Sequence, residues 1–298
     1  SRTLVGNALT AIVQEANKTH EGLGDLSSMR EFCTESGFAA LQGLVENTSL
    51  FTTATEVQTR LLITHTQKYE VRGIDVKVEL GETEGDPIQE LVFVLNSRFF
   101  VENVHFALEK HEYEKLWGRV DSQNNNDLLY RQQIVDFIES YRTAHNRKDI
   151  GFLKDVYSDD ALIIVGHVVQ KKENGDDWLG QSSLGQEKIR FIRLKKQQYI
   201  ERLQAAFDRN SFVRVIFDDI KIKRHHKFDE IYGITLKQRW NSSRYSDEGY
   251  LFVMLDFKNQ QNPLIHVRSW QPEPFSDGST VGLGDFQIID SDSAINNN

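Results

Sequence analysis

Residues 141–165, YRTAHNRKDIGFLKDVYSDDALIIV, hold the pattern that decides the fold. Tyr141 belongs to a stripe of apolar residues at helical spacing, and Asp149 can cap a short second helix. The run that follows Asp160 is too apolar and too rich in β-branched residues for an exposed segment, so it predicts a buried strand. A helix, a short helix and a buried strand in this order indicate an α+β unit.

The residues after this segment extend the same unit. We predict a third helix over roughly residues 186–208, with Tyr199, Leu203 and Phe207 pointing inward. Four strand-like runs follow, SFVRVIFDDIKIK, IYGITLKQRW, GYLFVMLDF and PLIHVRSW. Helices that precede a series of strands are typical of helices packed on an antiparallel sheet.

The first part of the chain repeats this plan, with helices before strands. The sequence LSSMREF offers a capping box, Ser28 with Glu31, for a helix that ends near Val45. The run GIDVKVEL alternates with period two, and QELVFVLNSRFFVENVHFAL predicts two strands joined by a turn at residues 96–98. This region therefore also predicts helices on a sheet.

The chain divides into four parts on these patterns. We predict an N-terminal α+β domain over residues 1–115 and a linker with an Asn run over 116–129. A second domain covers 130–273, and a largely irregular tail covers 274–298. The predicted fold class is α+β with two domains, each with helices packed on a curved antiparallel sheet.

The composition excludes several classes of protein. The 298 residues carry a formal net charge of -9 with 39% hydrophobic residues, which disfavours a broad basic surface for nucleic acid. Cys33 is the single cysteine, so no intramolecular disulfide forms. No apolar run reaches the roughly 18 residues of a membrane span. We found no motif for a metal or a cofactor, and we predict neither.

The segment YRTAHNRKDIGFLKDVYSDDALII resembles the nuclear transport factor 2-like superfamily, which includes the steroid isomerases and the SnoaL-type polyketide cyclases. The resemblance covers roughly residues 130–273 and implies a cone-shaped fold. This fold hosts enzymes, ligand binders and interaction modules, so it does not imply one function. The whole chain resembles uncharacterised secreted or surface proteins of bacteria, which implies a location in the periplasm or on the cell surface.

The resemblance to the steroid isomerases lets the catalytic positions be tested one by one. Their tyrosine donor corresponds to Tyr141, their carboxylate base to Val165 and their second acidic donor to Val253. Valine neither accepts nor donates a proton, so isomerase chemistry of that type is disfavoured. Tyr141 itself is either a core residue with a satisfied hydroxyl or part of a polar pocket.

The last strand-like run, PLIHVRSW, supplies the candidate ligand site. If Trp270 faces the interior, period-two alternation places Arg268 and His266 on the same face. With Trp240 and the apolar residues of GYLFVMLDF, they suit a ligand with an apolar body and an anionic end. The alternative is that Arg268 is paired with a buried acid. Our candidate ligand-binding residues are Tyr141, Val165, Trp240, Val253, His266, Arg268 and Trp270.

Two pairs of carboxylates are interpreted as structural. Asp159 and Asp160 lie at the entry to a strand, where they can bind backbone N–H groups. Asp218 and Asp219 lie where the apolar register of a strand changes, which predicts a β-bulge. We therefore assign no catalytic residue.

The sequence favours a non-enzymatic binding or interaction protein with a small-molecule ligand. One alternative is an enzyme of the SnoaL or isomerase type that uses Tyr141, His266 and Arg268. Another is a purely structural assembly module. The last strand-like run, PLIHVRSW, is apolar on both faces, which predicts that its outer side is covered. That cover would come from tight interdomain packing or from a homodimer.

Overall fold

The protein folds into two units, each with helices packed on its own β-sheet and its own apolar core. In the computed structural model the described residues are 2–52, 60–63, 68–78, 87–109, 112–113, 125–169, 188–258 and 263–286. The α+β class is confirmed. The domain boundaries stay predictions.

The first unit contains two α-helices, a 3₁₀-helix and five strands in its described part. The helices are α1 (Arg2–His20), the 3₁₀-helix Leu26–Phe32 and α2 (Glu35–Thr48). The strands are β1 (Leu50–Phe51), β2 (Arg60–Ile63), β3 (Tyr69–Val78), β4 (Ile88–Leu95) and β5 (Val101–Phe106). The sheet order is β1-β3-β4-β5, with β2 also paired to β3, and all these pairs are antiparallel.

The predicted capping box at Ser28 and Glu31 is wrong, because two shorter helices stand in place of one. Asp25 caps the 3₁₀-helix by accepting a hydrogen bond from the Ser27 backbone N–H at 2.8 Å. Thr34 caps α2 by accepting one from the Gly37 backbone N–H at 3.0 Å. A Cβ on Gly37 would lie only 1.9 Å from the backbone oxygen of Val101 in β5, so the absence of a side chain at Gly37 lets α2 approach the sheet.

The second unit contains three α-helices, a short 3₁₀-helix (Leu283–Asp285) and six strands with described bounds. The helices are α3 (Asn125–Asn146), α4 (Ile150–Asp155) and α5 (Lys196–Arg209). The strands are β6 (Tyr157–Val169), β7 (Lys188–Leu194), β8 (Val213–Arg224), β9 (Ile231–Ser242), β10 (Ser246–Asp256) and β11 (Leu264–Gln271). The sheet order is β7-β6-β11-β10-β9-β8, and only the β6–β11 pair is parallel.

Some predicted boundaries in the second half differ from the observed ones. Helix α3 already begins at Asn125, within the range predicted as linker. Residues 188–194, predicted as helix, instead pair with β6 as an extra edge strand. None of the described helices is both long and apolar enough to cross a membrane.

The β-bulge predicted at Asp218 and Asp219 is present. The pairing of β8 with β9 shifts between Asp218 and Lys221, and Asp219 has a φ of 50°. Ile220 then lies in the apolar core, and Asp218 pairs with Arg239 at 2.8 Å. The bulge therefore re-aims the apolar face of the strand, as its sequence indicated.

Helix α3 joins the two units because polar groups on one of its sides bind the first sheet. Arg142 donates to the carbonyl oxygen of Ala107 at 2.6 Å, and the Thr143 hydroxyl accepts from the Phe106 N–H at 3.0 Å. Glu139 accepts from Arg72 of β3 at 2.7 Å. The other side of α3 packs into the core of the second unit.

Part of the outer face of the second sheet is covered by the chain's own tail. Phe252 and Val267 on this face form an apolar cluster with Leu283, and the ring of Phe252 stacks on Phe286 at 5.4 Å. We call the face that carries Phe252 and Val267 the outer face, and the opposite face, which packs on the main core of this unit, the inner face. The cover found here is neither the first unit nor another chain; the homodimer stays a prediction.

Candidate functional site

The inner face of the second sheet encloses aromatic and polar side chains beneath α3. Tyr141 and His145 are one helical turn apart and both buried, with ring centroids 4.7 Å apart. Tyr141 belongs to the apolar stripe that the sequence showed, and His145 lies on the same side of the helix, opposite the side that binds the first unit. The contacts of α3 with the first unit therefore fix the position of the helix that carries these two side chains.

Tyr141 has a defined hydroxyl partner. Its hydroxyl shares a 2.6 Å hydrogen bond with the hydroxyl of Tyr157, the first residue of β6. Burial raises the pKa of Tyr141 well above its usual range, so the side chain is neutral at neutral pH. One hydroxyl of the pair donates within it, so the proton of the other can be offered to a ligand.

Arg268 projects from β11 into the same region. It lies opposite Val253 of the neighbouring strand β10, and only 6% of its surface is exposed. Its guanidinium carbon lies 4.9 Å from the centroid of the Tyr199 ring. In the described part of the chain it forms no ion pair, and its Nε has no hydrogen-bond partner. The predicted alternative, pairing with a buried acid, is thus not met among these residues.

His145 is a neutral imidazole beside this arginine. Its Nδ1 is 2.8 Å from the Tyr141 carbonyl oxygen, which assigns the ring proton to Nδ1. Burial lowers the pKa of His145 to about 4; the hydrogen bond to Tyr141 opposes this shift and the charge of Arg268 adds to it. The Nε2 atom is therefore an acceptor at neutral pH.

His266 does not lie on the inner face. A register shift in β11 places Ile265 in the inner core and Val267 in the outer cluster, so strict alternation fails at His266. Its imidazole Nε2 lies 3.8 Å from the carboxylate of Asp256, a residue of the outer face. A β-bulge of this kind adds one residue to a strand and reverses the faces beyond it.

Three of the predicted residues, Val165, Trp240 and Trp270, are half-buried and pack against the inner core. Trp270 pairs with Val165 of β6 on one side and with Leu251 of β10 on the other. The indole of Trp240 lies 6.3 Å from the ring of Phe207, parallel to it. Trp240 and Trp270 thus place two indole rings against the inner core; their role in binding a ligand stays a prediction.

Asp247 is a further polar residue of this region, and the sequence analysis missed it. It lies opposite Trp240 in the β9–β10 pairing, and its Oδ2 accepts from the Tyr245 hydroxyl at 2.8 Å. Its Oδ1 is buried and has no hydrogen-bond partner among the described residues. Burial raises its pKa, while the Tyr245 hydrogen bond and the charge of Arg268 lower it.

Two of the three positions tested for isomerase chemistry, Val165 and Val253, are apolar in space as well as in sequence. Val165 and Val253 both belong to the inner core, and Val253 is buried. Asp159 and Asp160 are exposed near the start of β6, where Lys196 binds Asp159 at 2.8 Å and Ser158 binds Asp160. The carboxylate pair therefore lies outside the inner face, in keeping with its structural interpretation.

Four residues of the site escaped the sequence analysis, namely His145, Tyr157, Tyr199 and Asp247. A signal existed for His145, because it follows Tyr141 by four residues and so shares its helical face. The sequence places Tyr199 on the inward side of its helix, but no pattern indicates that its ring contacts the Arg268 guanidinium. Tyr157 and Asp247 carry no local signal, since Tyr157 is tied to the site by a residue of helix α3 and Asp247 by its pairing with Trp240 of β9.

No protein-family model and no curated protein matches this chain. Solved structures show partial similarity to it. A protein of Bdellovibrio bacteriovorus is 12% identical with a TM-score of 0.36, over 72% of this chain and 94% of that one. A naphthalene 1,2-dioxygenase structure with bound indole is 8% identical with a TM-score of 0.38, over 55% and 88%. A proposed dehydratase of the NTF2-like family from Streptomyces avermitilis is 7% identical with a TM-score of 0.32, over 44% and 87%.

Proposed function

We propose that the protein binds a small molecule with an apolar body and an anionic end, and that Arg268 holds the anion. The observation that carries this proposal is a buried arginine without an acidic partner in the described part of the chain. Arginine keeps its proton in proteins, so its charge is present at any working pH. A buried charge without a partner is costly, and an anionic ligand would remove that cost.

The surroundings of Arg268 support a ligand in preference to an internal partner. The Tyr199 ring covers the guanidinium through a cation–π contact, and the Tyr141–Tyr157 pair adds a hydroxyl donor beside it. Donors of this kind bind a carboxylate well, because it accepts several hydrogen bonds in one plane. The indoles of Trp240 and Trp270 supply the surface for the apolar body.

The proposal is tested by ligand-induced stabilisation. The melting temperature is measured with benzoate, 3-phenylpropionate, 2-naphthoate and decanoate, and with the neutral amide of each. We expect at least one carboxylate to raise the melting temperature while its amide does not. R268M should abolish this effect, because it removes the guanidinium and keeps an apolar side chain of similar length.

The matched control is R239M on the neighbouring strand β9. Arg239 pairs with Asp218 on the outer face and does not face the tyrosines, so its loss should leave the ligand effect unchanged. The proposal is overturned if no carboxylate stabilises the protein. It is also overturned if R268M responds like the unchanged protein.

A second candidate is an enzyme that moves a proton on such a ligand. The observation that favours it is the neutral His145, which shares the inner face with Tyr141 and Arg268 and whose Nε2 carries no proton. In this version His145 replaces His266 as the base. Deuterium exchange from D2O into the carbon next to the carbonyl of phenylpyruvate, followed by NMR, tests it. Exchange above the buffer rate that H145Q abolishes would favour the enzyme, and exchange at the buffer rate would favour the binding protein.

A further inference from the structure

Two buried hydrogen-bonding atoms, one near the start of β10 and one near the end of β11, have no partner among the residues that the structure describes. They are Oδ1 of Asp247, an acceptor, and Nε1 of Trp270, a donor. Buried polar atoms are nearly always hydrogen-bonded, so each orphan calls for a partner from outside these residues. The two atoms have opposite hydrogen-bonding character.

These two atoms belong to the same part of the inner face. The Cε2 and Cζ2 atoms of Trp270 lie 2.9 and 2.8 Å from the position that a Cβ on Gly249 would occupy. The indole edge that carries Nε1 therefore lies across Gly249 of β10. Asp247 is two residues from Gly249 and thus on the same side of the strand.

A hydroxyl group satisfies both atoms at once. It can donate its proton to the Asp247 carboxylate and accept the Trp270 N–H on its oxygen. A second anion would be repelled by Asp247, and an apolar group would leave both atoms unsatisfied. An ammonium group would pair with Asp247 but cannot accept from Trp270.

The charges on the inner face separate this position from the anion position. Asp247 and Arg268 do not form an ion pair, although the charge of Arg268 lowers the pKa of Asp247. Arg268 lies opposite Val253, which is six residues from Asp247 along β10. In a straight strand the backbone positions of Val253 and Asp247 are about 20 Å apart, and the side chains of Arg268 and Asp247 extend inward from these two levels. A bound molecule can therefore meet Arg268 with one end and Asp247 with the other.

We infer that the ligand is a hydroxylated carboxylic acid, with its carboxylate on Arg268 and its hydroxyl between Asp247 and Trp270. This inference rests on the proposed function and narrows it to one chemical class. The carboxylate, the apolar body and the distal hydroxyl each correspond to a part of the inner face. Asp247 and Trp270 then determine specificity, while Arg268 provides the charge.

The test compares acids that differ only in a distal hydroxyl. Calorimetry is carried out with 3-phenylpropionate and 3-(4-hydroxyphenyl)propionate, with 2-naphthoate and 6-hydroxy-2-naphthoate, and with decanoate and 10-hydroxydecanoate. We expect the hydroxylated member of at least one pair to bind about tenfold more tightly, as for a hydrogen bond to a charged group. D247A should remove that difference without removing the affinity for the unhydroxylated acid.

The control variant is D256A, because Asp256 lies on the outer face of the same strand β10. It should keep the preference for the hydroxylated acids. Equal affinities within every pair, together with loss of binding in R268M, would overturn this inference and leave the proposed function standing. If R268M binds all acids as the unchanged protein does, or if no acid binds, the proposed function itself is overturned.

Discussion

The guanidinium carbon of Arg268 lies 4.9 Å from the centroid of the Tyr199 ring, and this contact joins the last strand to the third helix of the second unit. The aromatic face attracts the cation through its quadrupole and shields it from water. It supplies no negative charge, however. Among the described residues the arginine is thus held by neutral groups, so any partner of opposite charge must come from outside them.

Replacing Arg268 by methionine should stabilise the protein in the absence of ligand. The desolvation cost of a buried charge is only partly offset by a ring contact, and an apolar side chain of similar volume avoids that cost. We expect the free energy of unfolding to rise by about 1–3 kcal/mol, measured by urea denaturation at neutral pH. A loss of more than about 1 kcal/mol would show that Arg268 has an internal acidic partner.

His145 should make the protein less stable as the pH falls from 6.5 towards 4. Its pKa in the folded protein is lowered to about 4, so the unfolded chain takes up the proton first. Protons bound preferentially to the unfolded state favour unfolding, and the full effect is about 3 kcal/mol for this single group. Urea denaturation between pH 4 and 7 measures it.

The variant H145F isolates this effect. It keeps an aromatic ring against Trp240 and Phe207 and removes the titrating group. The decline in stability between pH 6.5 and 4 should become shallower than in the unchanged protein. An identical decline in both proteins would mean that His145 has the same pKa in the folded protein as in the unfolded chain.

Glu139 should contribute stability that disappears only in strong acid. Burial raises its pKa, but the hydrogen bond from His105 and the charge of Arg72 outweigh burial and hold the pKa at about 2. Its ionised form therefore stabilises the fold above pH 4.5, and this contribution is lost as the pH falls towards 2. E139Q should lower the free energy of unfolding by about 1.5–3 kcal/mol at pH 7, because Arg72 then keeps Glu70 but loses the Glu139 carboxylate.

The control for this change is E46Q. Glu46 lies on the exposed side of α2, where it accepts a hydrogen bond from Gln42 at 2.7 Å, so its neutralisation should alter stability by less than about 0.5 kcal/mol. The E139Q protein should also lose less stability than the unchanged protein between pH 4.5 and 2. A small effect of E139Q at pH 7 would mean that the two units are held together mainly by other contacts.

Substitution of Gly249 by alanine should displace the indole of Trp270. The new Cβ would lie 2.8 Å from Cζ2 of that ring and 2.5 Å from the backbone oxygen of Gln271, and a backbone atom cannot move away cheaply. We expect a loss of about 1–3 kcal/mol and a changed tryptophan fluorescence maximum. G6A, at a helical glycine with open space around it, is the matched control. It should leave the fluorescence maximum unchanged and raise the free energy of unfolding by about 0.5–1 kcal/mol, because alanine favours the helix.

The periodicity of the sequence determined the α+β plan and most of the inner core. The stripe through Tyr141 lies inward, and the change of apolar register at Asp218 marks the bulge. These signals are local, because helix and strand periods are written in consecutive residues. The capping box at Ser28 failed because Asp25 and Thr34, with the same chemistry, capped two shorter helices instead.

The face of His266 could not be determined from periodicity. The strand is apolar on both faces, so a bulge within it leaves no break in the pattern. In the strand β8 the same kind of bulge was visible, because charged residues marked its outward positions. A pattern reveals a register shift only where the two faces differ in polarity.

The sequence by itself therefore determined the two-unit plan, the apolar wall at Val165 and Val253, and the presence of an arginine on the last strand. Only the tertiary structure decided that Arg268 meets Tyr199, Tyr141 and His145, with no acid paired to it among the described residues. Whether a charge is paired depends on residues brought from other strands and helices. That information lies in the packing of distant segments, and no local period records it.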